Sequence, residues 1–327
     1  MTKKKTMTKK NNDQINASKM FVRATINEFR EKYPNLNLKS LRPTFPASLQ
    51  NVKLTEKEIA QIGLHPVVLS TICGTTFGDS SLTVQKNYAN ARLTYRHSTR
   101  QTEWVLWKTL CVFQDFVTDN SVLFQMPDGY QAEATKVDGF LSWQEEENLG
   151  KFKVSTMVDE KLTQLRDIIA PNNKKTIMRS WLNHMNNYFL MTLWLDDGGL
   201  TGEGGRQGVI STGTMPLDQA EVLADYLKTV WDVDCEARYV TEKKMKNNQY
   251  PSRIFIKDQA NLMKLLRIIA PVIPVKSMLY KVCFFPTDVS LQQRWASELK
   301  QLVRPEWHDT LDIIFSYKKL KSIQKKI

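Results

Sequence analysis

Two adjacent carboxylates end an apolar run in the stretch FLMTLWLDDGGLTGEGG, which spans Phe189 to Gly205. Asp196 and Asp197 directly follow a Leu-Trp-Leu triplet. An unpaired charge beside a hydrophobic core is costly, so acids in this position need a compensating partner. Carboxylate oxygens are the ligands that Mg²⁺ prefers, and a bound metal ion can activate water for hydrolysis. The pair is therefore the first candidate for a metal site.

A second acid stands at the end of a similar segment upstream. VVLSTICGTTFGDSSL, from Val67 to Leu82, is apolar over most of its length and contains the pair Gly78-Asp79. Strand-like sequence follows each acid, and an amphipathic helix follows each strand region. The order helix, acid, two strands, helix, two strands, helix therefore appears twice. The acids Asp79 and Asp197 are 197 − 79 = 118 residues apart.

The last helix of each unit shares a second motif. LTQLRDIIAP and LMKLLRIIAP end at Pro171 and Pro271, which are 271 − 171 = 100 residues apart. Apolar residues recur at spacings of three and four, and a proline closes each run, which predicts two helices. The chain therefore contains an internal repeat, although its spacing is loose.

Two such units would explain why acids stand at the ends of apolar helices, if the first helices of the two units pack side by side about a pseudo-twofold axis. The small residues Gly74, Thr75 and Thr192 would permit a close approach. Asp79 and Asp197 would then meet where the helices end. Two carboxylates in contact repel each other unless a cation lies between them. The repeat therefore predicts a metal site on the axis.

Composition sets the outer limits of function. Hydrophobic residues make up 42% of the 327 residues, so we expect a folded protein with a large core. Lysine and arginine exceed aspartate and glutamate by 46 to 34, and the net charge of +12 favours a polyanionic partner such as nucleic acid. The four cysteines form no CxxC clamp and indicate a reducing compartment. No apolar run approaches the ~20 residues of a membrane helix, so no membrane partner is expected.

Four segments are predicted along the chain. Residues 1–63 form a basic N-terminal extension whose Lys-rich first part is expected to be disordered. Residues 64–171 hold the first repeat, and residues 172–285 hold a linker and the second repeat. Residues 286–327 form a basic C-terminal extension, and its final stretch SYKKLKSIQKKI has the spacing of a short amphipathic helix.

These motifs together resemble the LAGLIDADG homing endonucleases. LSTICGTTFGDSSL looks like the family's namesake helix in its Gly-Asp form, and FLMTLWLDDGG looks like the variant that ends in Asp-Asp-Gly. NNKKTI, from Asn172 to Ile177, and MLYK, from Met278 to Lys281, resemble motifs of the single-chain enzymes of the mitochondrial omega-intron type. The likeness covers roughly His65 to Phe285.

The resemblance implies an α+β fold of two pseudo-symmetric αββαββα repeats, with two central packed helices and a saddle of antiparallel sheets. It implies cleavage of both strands of a long double-stranded DNA site by water activated at Mg²⁺ or Mn²⁺. It also implies which residues of the namesake helices, NNKKTI and MLYK carry out catalysis and bind the metal ions. These residues are the acids Asp79 and Asp197, the lysines Lys175 and Lys281, and, as backbone carbonyl ligands, Gly78 and Asp196.

One departure from the family pattern leaves the second lysine open. The stretch IPVKSMLYK is two residues longer than in the omega type between its Ile-Pro pair and its lysine. Lys276 therefore competes with Lys281 for the second catalytic role.

DNA contacts are expected from one face of the strands. In ARLTYRHSTR, charged and polar residues alternate with apolar ones, so one face packs on helices while the other meets the groove. Arginine and glutamine side chains offer paired hydrogen bonds to base edges. The candidates are Lys86, Arg92, Arg96, Arg206, Gln207, Arg238, Lys243, Lys244 and Arg253.

Cleavage of DNA is not the only function compatible with this scaffold. An RNA maturase that helps a group I intron to fold is the alternative, and a nucleic-acid-binding protein without chemistry is a third reading. Since both acids are present, DNA cleavage is the preferred prediction over the other two functions. Both repeats lie on one chain, which favours a monomer, and the resemblance favours the mitochondrion, with the chloroplast as the alternative.

Overall fold

A computed structural model describes residues 2–50, 58–125, 150–202, 205–213, 215–240 and 250–324, and every structural statement below refers to these ranges. Helices α1 (Thr2–Lys32) and α2 (Glu58–Gln61) precede the first repeat. The first repeat consists of α3 (Pro66–Phe77), β1 (Ser80–Val84), β2 (Ala91–Ser98), α4 (Thr102–Trp107), β3 (Val122–Gln125), β4 (Lys151–Ser155) and α5 (Glu160–Ile169).

The second repeat has the same order of elements. The short helix α6 (Arg179–Leu182) leads into it. It consists of α7 (Asn187–Asp197), β5 (Gly198–Thr201), β6 (Gln207–Ser211), α8 (Leu217–Trp231), β7 (Cys235–Tyr239), β8 (Ser252–Ile256) and α9 (Gln259–Ile269). Helices α10 (Val289–Leu302) and α11 (His308–Gln324) follow. The predicted α+β fold with two αββαββα repeats is confirmed.

Each repeat carries one four-stranded antiparallel sheet. The strand orders are β1-β2-β4-β3 and β5-β6-β8-β7, so the two sheets have the same topology. The registers correspond as well, because Ser80 lies opposite Tyr95 and Gly198 lies opposite Ile210. In both repeats the first strand therefore begins at the residue that follows the acid.

Helices α3 and α7 pack side by side at the centre of the molecule. Both are apolar around their whole circumference and nearly every residue in them is buried, which is typical of a helix surrounded by protein. Gly74 makes the close approach possible: a Cβ built there would lie 2.8 Å from the Phe189 carbonyl oxygen and 2.9 Å from Thr192 Cβ. The expected contact of small residues between the two helices is confirmed.

The two helices of the IIAP motif close the repeats. Aspartate side chains cap both N-termini, Asp159 at α5 and Asp258 at α9, by accepting hydrogen bonds from backbone N–H groups of the first turn. Each helix buries its leucines and its last isoleucine. Helix α5 packs against β1 and β2, and α9 packs against β6, β8 and α7. The sheets are thus covered on one face and open on the other.

The N-terminal extension differs from the expectation. Its first part was expected to be disordered, whereas α1 begins at Thr2. The segment contains no glycine or proline to interrupt a helix. Val22 and Phe29 anchor its second half in the core, and the Phe21 ring lies 4.5 Å from the Phe124 ring on β3. Helix formation is cooperative, so an anchored half favours extension of the helix toward its free end.

The C-terminal extension belongs to the same core as the repeats. Trp295 and Leu299 of α10 and Leu311 of α11 are fully buried. Trp295 Nε1 donates a hydrogen bond to the Val282 carbonyl oxygen at 3.0 Å, which ties α10 to the end of the second repeat. The predicted helix at this end is present as part of α11, which is longer than the sequence pattern suggested.

The four cysteines are buried and unpaired, which agrees with the absence of a disulfide framework. Within the described ranges, no helix combines the length and the apolar character that crossing a membrane would require.

The contact between α3 and α7 yields a stability prediction. Gly74→Val should lower the free energy of unfolding by about 1–3 kcal/mol, because the new side chain overlaps backbone atoms of α7. Gly199→Val is the matched control, since a Cβ there meets nothing within 4 Å. Urea denaturation of both variants measures the difference. Equal midpoints for the two variants would contradict the close packing.

Candidate active site

The two acids come together where the central helices end. Gly78 caps α3 and directly precedes Asp79, and Asp197 is the last residue of α7. A Cβ built at Gly78 would lie 2.5 Å from Asp197 Oδ2 and 2.9 Å from Asp196 Cβ. The backbone before the first acid therefore abuts the second acid, and no residue larger than glycine fits at position 78 without displacing that carboxylate.

Both carboxyls are harder to ionise than an ordinary aspartate. Burial, together with the negative charge of Asp196, raises the pKa of Asp79 to about 6. Burial, together with the charges of Asp79 and Asp196, raises the pKa of Asp197 to about 7. The Asp79 side chain is nevertheless 41% exposed, so solvent and ions reach it. A divalent cation between the two carboxylates would relieve their repulsion, so this donor set fits Mg²⁺.

Two lysines occupy equivalent positions beside the acids. Lys175 Nζ donates to the Ser80 carbonyl oxygen at 3.4 Å, and Lys281 Nζ donates to the Gly198 carbonyl oxygen at 2.6 Å. Ser80 and Gly198 are the residues that follow Asp79 and Asp197. Burial lowers the pKa of both lysines, and the nearby carboxylates oppose that effect. Each lysine therefore bonds the residue that follows one acid, and the charges of both lysines act on both acids.

Lys276 lies elsewhere. It lines a cavity of about 450 Å³ between α1 and the C-terminal extension, together with Lys32, Tyr33 and Arg304. Lys281 is therefore the lysine that corresponds to Lys175 in space, although Lys276 has the spacing of the shorter family pattern.

The Asp196 side chain lies in a different environment from that of its neighbour Asp197. Its side chain is fully buried and accepts hydrogen bonds from Thr75 Oγ1 at 2.6 Å, Trp104 Nε1 at 2.7 Å and Lys108 Nζ at 3.1 Å. Burial alone would raise its pKa, but Lys108 and the other donors outweigh burial and lower it. The carboxylate is thus saturated by protein donors, which leaves only the backbone carbonyl of Asp196 for a metal ion.

The partners of Asp196 were not found from the sequence. Lys108 is a fully buried lysine whose Nζ also lies 2.7 Å from His97 Nε2. Burial, reinforced by the Lys108 charge, lowers the pKa of His97 to about 3, so its imidazole is neutral. The only signal in the sequence was a lysine inside the otherwise apolar run TEWVLWKTLCVF.

A metal ion has no place between His97 and Asp196. Ligand atoms of these two residues and of Asp79 all lie within 4.8 Å of one another. The Lys108 ammonium group, however, already bonds both His97 and Asp196 and supplies the positive charge there. The Lys108 ammonium therefore occupies the position that a cation would take between His97 and Asp196.

The first sheet presents most of its predicted DNA-binding residues on its open face. Arg96 is exposed on β2, opposite Lys153 of β4. Arg92, on the same face, donates to Gln85 Oε1 at 2.6 Å and lies over the Tyr88 ring. Lys86 is exposed in the turn between β1 and β2. Lys153 was missed, although it alternates with buried residues in GKFKVSTMV.

The second sheet repeats this arrangement. Arg253 of β8 lies opposite Arg238 of β7, and both are exposed. Arg238 also forms an ion pair with Glu236. Arg206 and Gln207 are exposed at the start of β6. The remaining candidates, Lys243 and Lys244, lie outside the described residues.

Comparisons with known proteins assign the family. The sequence matches the LAGLIDADG DNA endonuclease family over residues 69–261, and the chain belongs to that family. The homing endonuclease I-WcaI bound to its DNA recognition sequence has a similar fold, with 18% sequence identity and a TM-score of 0.52, and the match covers 72% of this chain and 95% of that one. At this identity the likeness concerns the fold alone.

Two further solved structures match less well. The N-terminal LAGLIDADG domain of DUF199/WhiA matches with 10% identity and a TM-score of 0.34, over 68% of this chain and 95% of that one. Mesophilic variants of the homing endonuclease I-DmoI match with 11% identity and a TM-score of 0.36, over 70% of this chain and 100% of that one. A search of curated proteins returned no match.

The two adjacent acids should respond differently to the same substitution. Asp196→Asn should lower the free energy of unfolding by about 3–5 kcal/mol, because it leaves the Lys108 ammonium buried without its counter-charge. Asp197→Asn should not destabilise the metal-free protein, because it removes a repulsive charge. Urea denaturation at pH 8 without metal compares them. Equal losses of stability would refute the assignment of Asp196 to the core.

The raised pKa of Asp197 predicts a pH dependence in the metal-free protein. Between about pH 4 and about pH 7 the unfolded chain has lost the Asp197 proton while the folded protein retains it. The folded state binds more protons there, so the stability contributed by this group falls as pH rises. Wild type should therefore lose stability relative to Asp197→Asn between pH 5 and pH 8, measured by urea midpoints, and Mg²⁺ should restore it. A difference independent of pH would contradict the raised pKa.

Proposed function

We propose that this protein is a homing endonuclease that cleaves both strands of a specific double-stranded DNA site and uses Mg²⁺, with Mn²⁺ as a substitute. The observation that carries the proposal is the meeting of Asp79 and Asp197 at the ends of the two central helices. Each acid leads directly into a sheet whose open face carries basic side chains. The acids thus lie between two basic sheet faces, which supports DNA binding on both sides of them.

The roles of the side chains follow from their positions. Asp79 and Asp197, with the backbone carbonyls of Gly78 and Asp196, would hold divalent cations. A divalent cation in such a site stabilises charge on phosphoryl oxygens and lowers the pKa of bound water. Lys175 bonds the residue that follows Asp79, and Lys281 bonds the residue that follows Asp197. Each ammonium can therefore stabilise negative charge that develops on a scissile phosphate.

DNA binding is supported by charge and by the fold. The net charge of +12 suits a polyanion. The structure of I-WcaI with its recognition sequence shows a similar fold in complex with DNA. Both repeats lie on one chain, so we propose that the protein binds DNA as a monomer. We place cleavage ahead of the RNA maturase alternative because both acids are present and adjacent. A mitochondrial location remains part of the proposal, with the chloroplast as the alternative.

The proposal is tested by cleavage of a plasmid that carries the joined flanks of the protein's own reading frame, with and without Mg²⁺. Asp79→Asn and Asp197→Asn should each reduce linear product at least a hundredfold while DNA affinity stays nearly unchanged. Gel resolution of supercoiled, nicked and linear forms follows the reaction. Turnover at the wild-type rate in either variant would refute the site.

The choice between the two lysines is tested on the same plasmid. Lys281→Met should slow the reaction and let nicked plasmid accumulate, because Lys281 bonds the residue that follows Asp197 whereas Lys175 bonds the residue that follows Asp79. Lys276→Met is the matched control, and it should leave the time course unchanged because Lys276 lies in the cavity beside α1. Slower cleavage by Lys276→Met together with an unchanged time course for Lys281→Met would assign the second catalytic role to Lys276.

A further inference from the structure

His97 is a buried histidine at the edge of the site, next to the first acid. It lies on β2, two residues beyond Tyr95, which pairs with Ser80 at the start of β1. Its Nδ1 is 3.5 Å from Asp79 Oδ2, and its side chain has no exposure to solvent. The family roles described above do not include this residue.

The surroundings of His97 fix which ring nitrogen carries the proton. An ammonium group has only donors, so Lys108 Nζ, at 2.7 Å, must donate to His97 Nε2. The proton of the neutral ring is then on Nδ1. This N–H donates to Gln101 Oε1 at 2.9 Å, and Asp79 Oδ2 lies 3.5 Å from the same Nδ1 atom. Asp196 holds Lys108 in turn, so the second central helix orients a donor that faces the first acid.

We propose that His97 is a positioning residue for Asp79: Lys108 and Asp196 lock its ring so that the Nδ1–H holds the Asp79 carboxylate in the orientation needed for metal binding. This inference rests on the proposed endonuclease function. The interaction is electrostatic at 3.5 Å in the metal-free protein, and catalytic contacts commonly tighten in the complex with substrate.

The two halves of the site differ at this point. The corresponding register position in the second repeat is Thr212, two residues beyond Ile210, which pairs with Gly198. Thr212 Oγ1 donates to the Ser252 carbonyl oxygen at 2.6 Å instead of facing Asp197. Loss of the His97 donor should therefore slow the cutting of one strand and leave the other strand unaffected.

Two substitutions separate the positioning role from a structural one. The amide nitrogen of asparagine can take the position of the histidine Nδ1, so His97→Asn retains a donor toward Gln101 and Asp79. The amide group of glutamine takes the position of Nε2, so His97→Gln retains the contact with Lys108 and loses the donor toward Asp79. Both variants remove the ring, which makes each a control for the stability of the other.

The cleavage rate of each strand is measured on DNA labelled on one strand at a time. His97→Gln should cut one strand about ten- to hundredfold more slowly and the other at the wild-type rate. His97→Asn should lie near wild type on both, with similar melting temperatures for the two variants. Equal slowing of both strands by both variants, or a slower His97→Asn, would overturn the positioning role. Absence of cleavage by the wild-type protein would instead overturn the endonuclease function.

A second measurement needs neither metal nor activity. The nitrogen chemical shifts of the four histidines in the metal-free protein at pH 7 report the tautomer of each ring, and the His97→Asn spectrum identifies the resonances of His97. A neutral ring with its proton on Nδ1 is expected, and Lys108→Met should change those shifts. A proton on Nε2 would overturn the inference, because the N–H would then face away from Asp79.

Discussion

The close packing of α3 and α7 is the constraint on which the rest of the structure depends. Gly74 lets the backbones approach in the middle of the pair, and Gly78 lets them approach at the end. The approach fixes where both acids lie, because Asp79 directly follows the C-cap of α3 and Asp197 is the last residue of α7. It also fixes the two sheets, because β1 and β5 begin at the residues after the acids. A wider separation would move the acids and both basic sheet faces at once.

Close packing brings negative charges together, and the protein treats the three acids in two ways. The buried Asp196 carboxylate accepts hydrogen bonds from three side chains, one of which is the Lys108 ammonium group. These donors stabilise its ionised form. At Asp79 and Asp197, burial and the neighbouring carboxylates outweigh the nearby lysines and raise the pKa values to about 6 and about 7. The unresolved repulsion makes this pair a good site for a divalent cation. The Asp-Asp dipeptide thus joins a structural anion, Asp196, to the acid that we propose binds a metal ion, Asp197.

The sequence was a good guide to the fold and to the acids because both leave local patterns. The repeated order of elements, the IIAP helices and the two apolar runs ending in acids predicted the sheets and the meeting of Asp79 with Asp197. Sequence patterns could not show that Asp196 would face inward, since its partners Trp104 and Lys108 are about ninety residues away in the chain. Contacts of this kind depend on tertiary packing. Composition predicted disorder for the Lys-rich first part of the N-terminal segment, and it does not report an anchor such as Phe29 farther along α1.

The two repeats share topology without sharing all of their chemistry. Position 78 in the first repeat is a glycine, and the equivalent position 196 in the second is an aspartate, so only one helix projects a carboxylate across the pair. That carboxylate holds Lys108, and Lys108 holds His97 beside Asp79. The Lys108 charge acts on both acids, and its interaction with Asp79 is stronger than its interaction with Asp197. A single chain can therefore hold its two acids in unequal fields, which a dimer of identical subunits cannot do while its symmetry is kept.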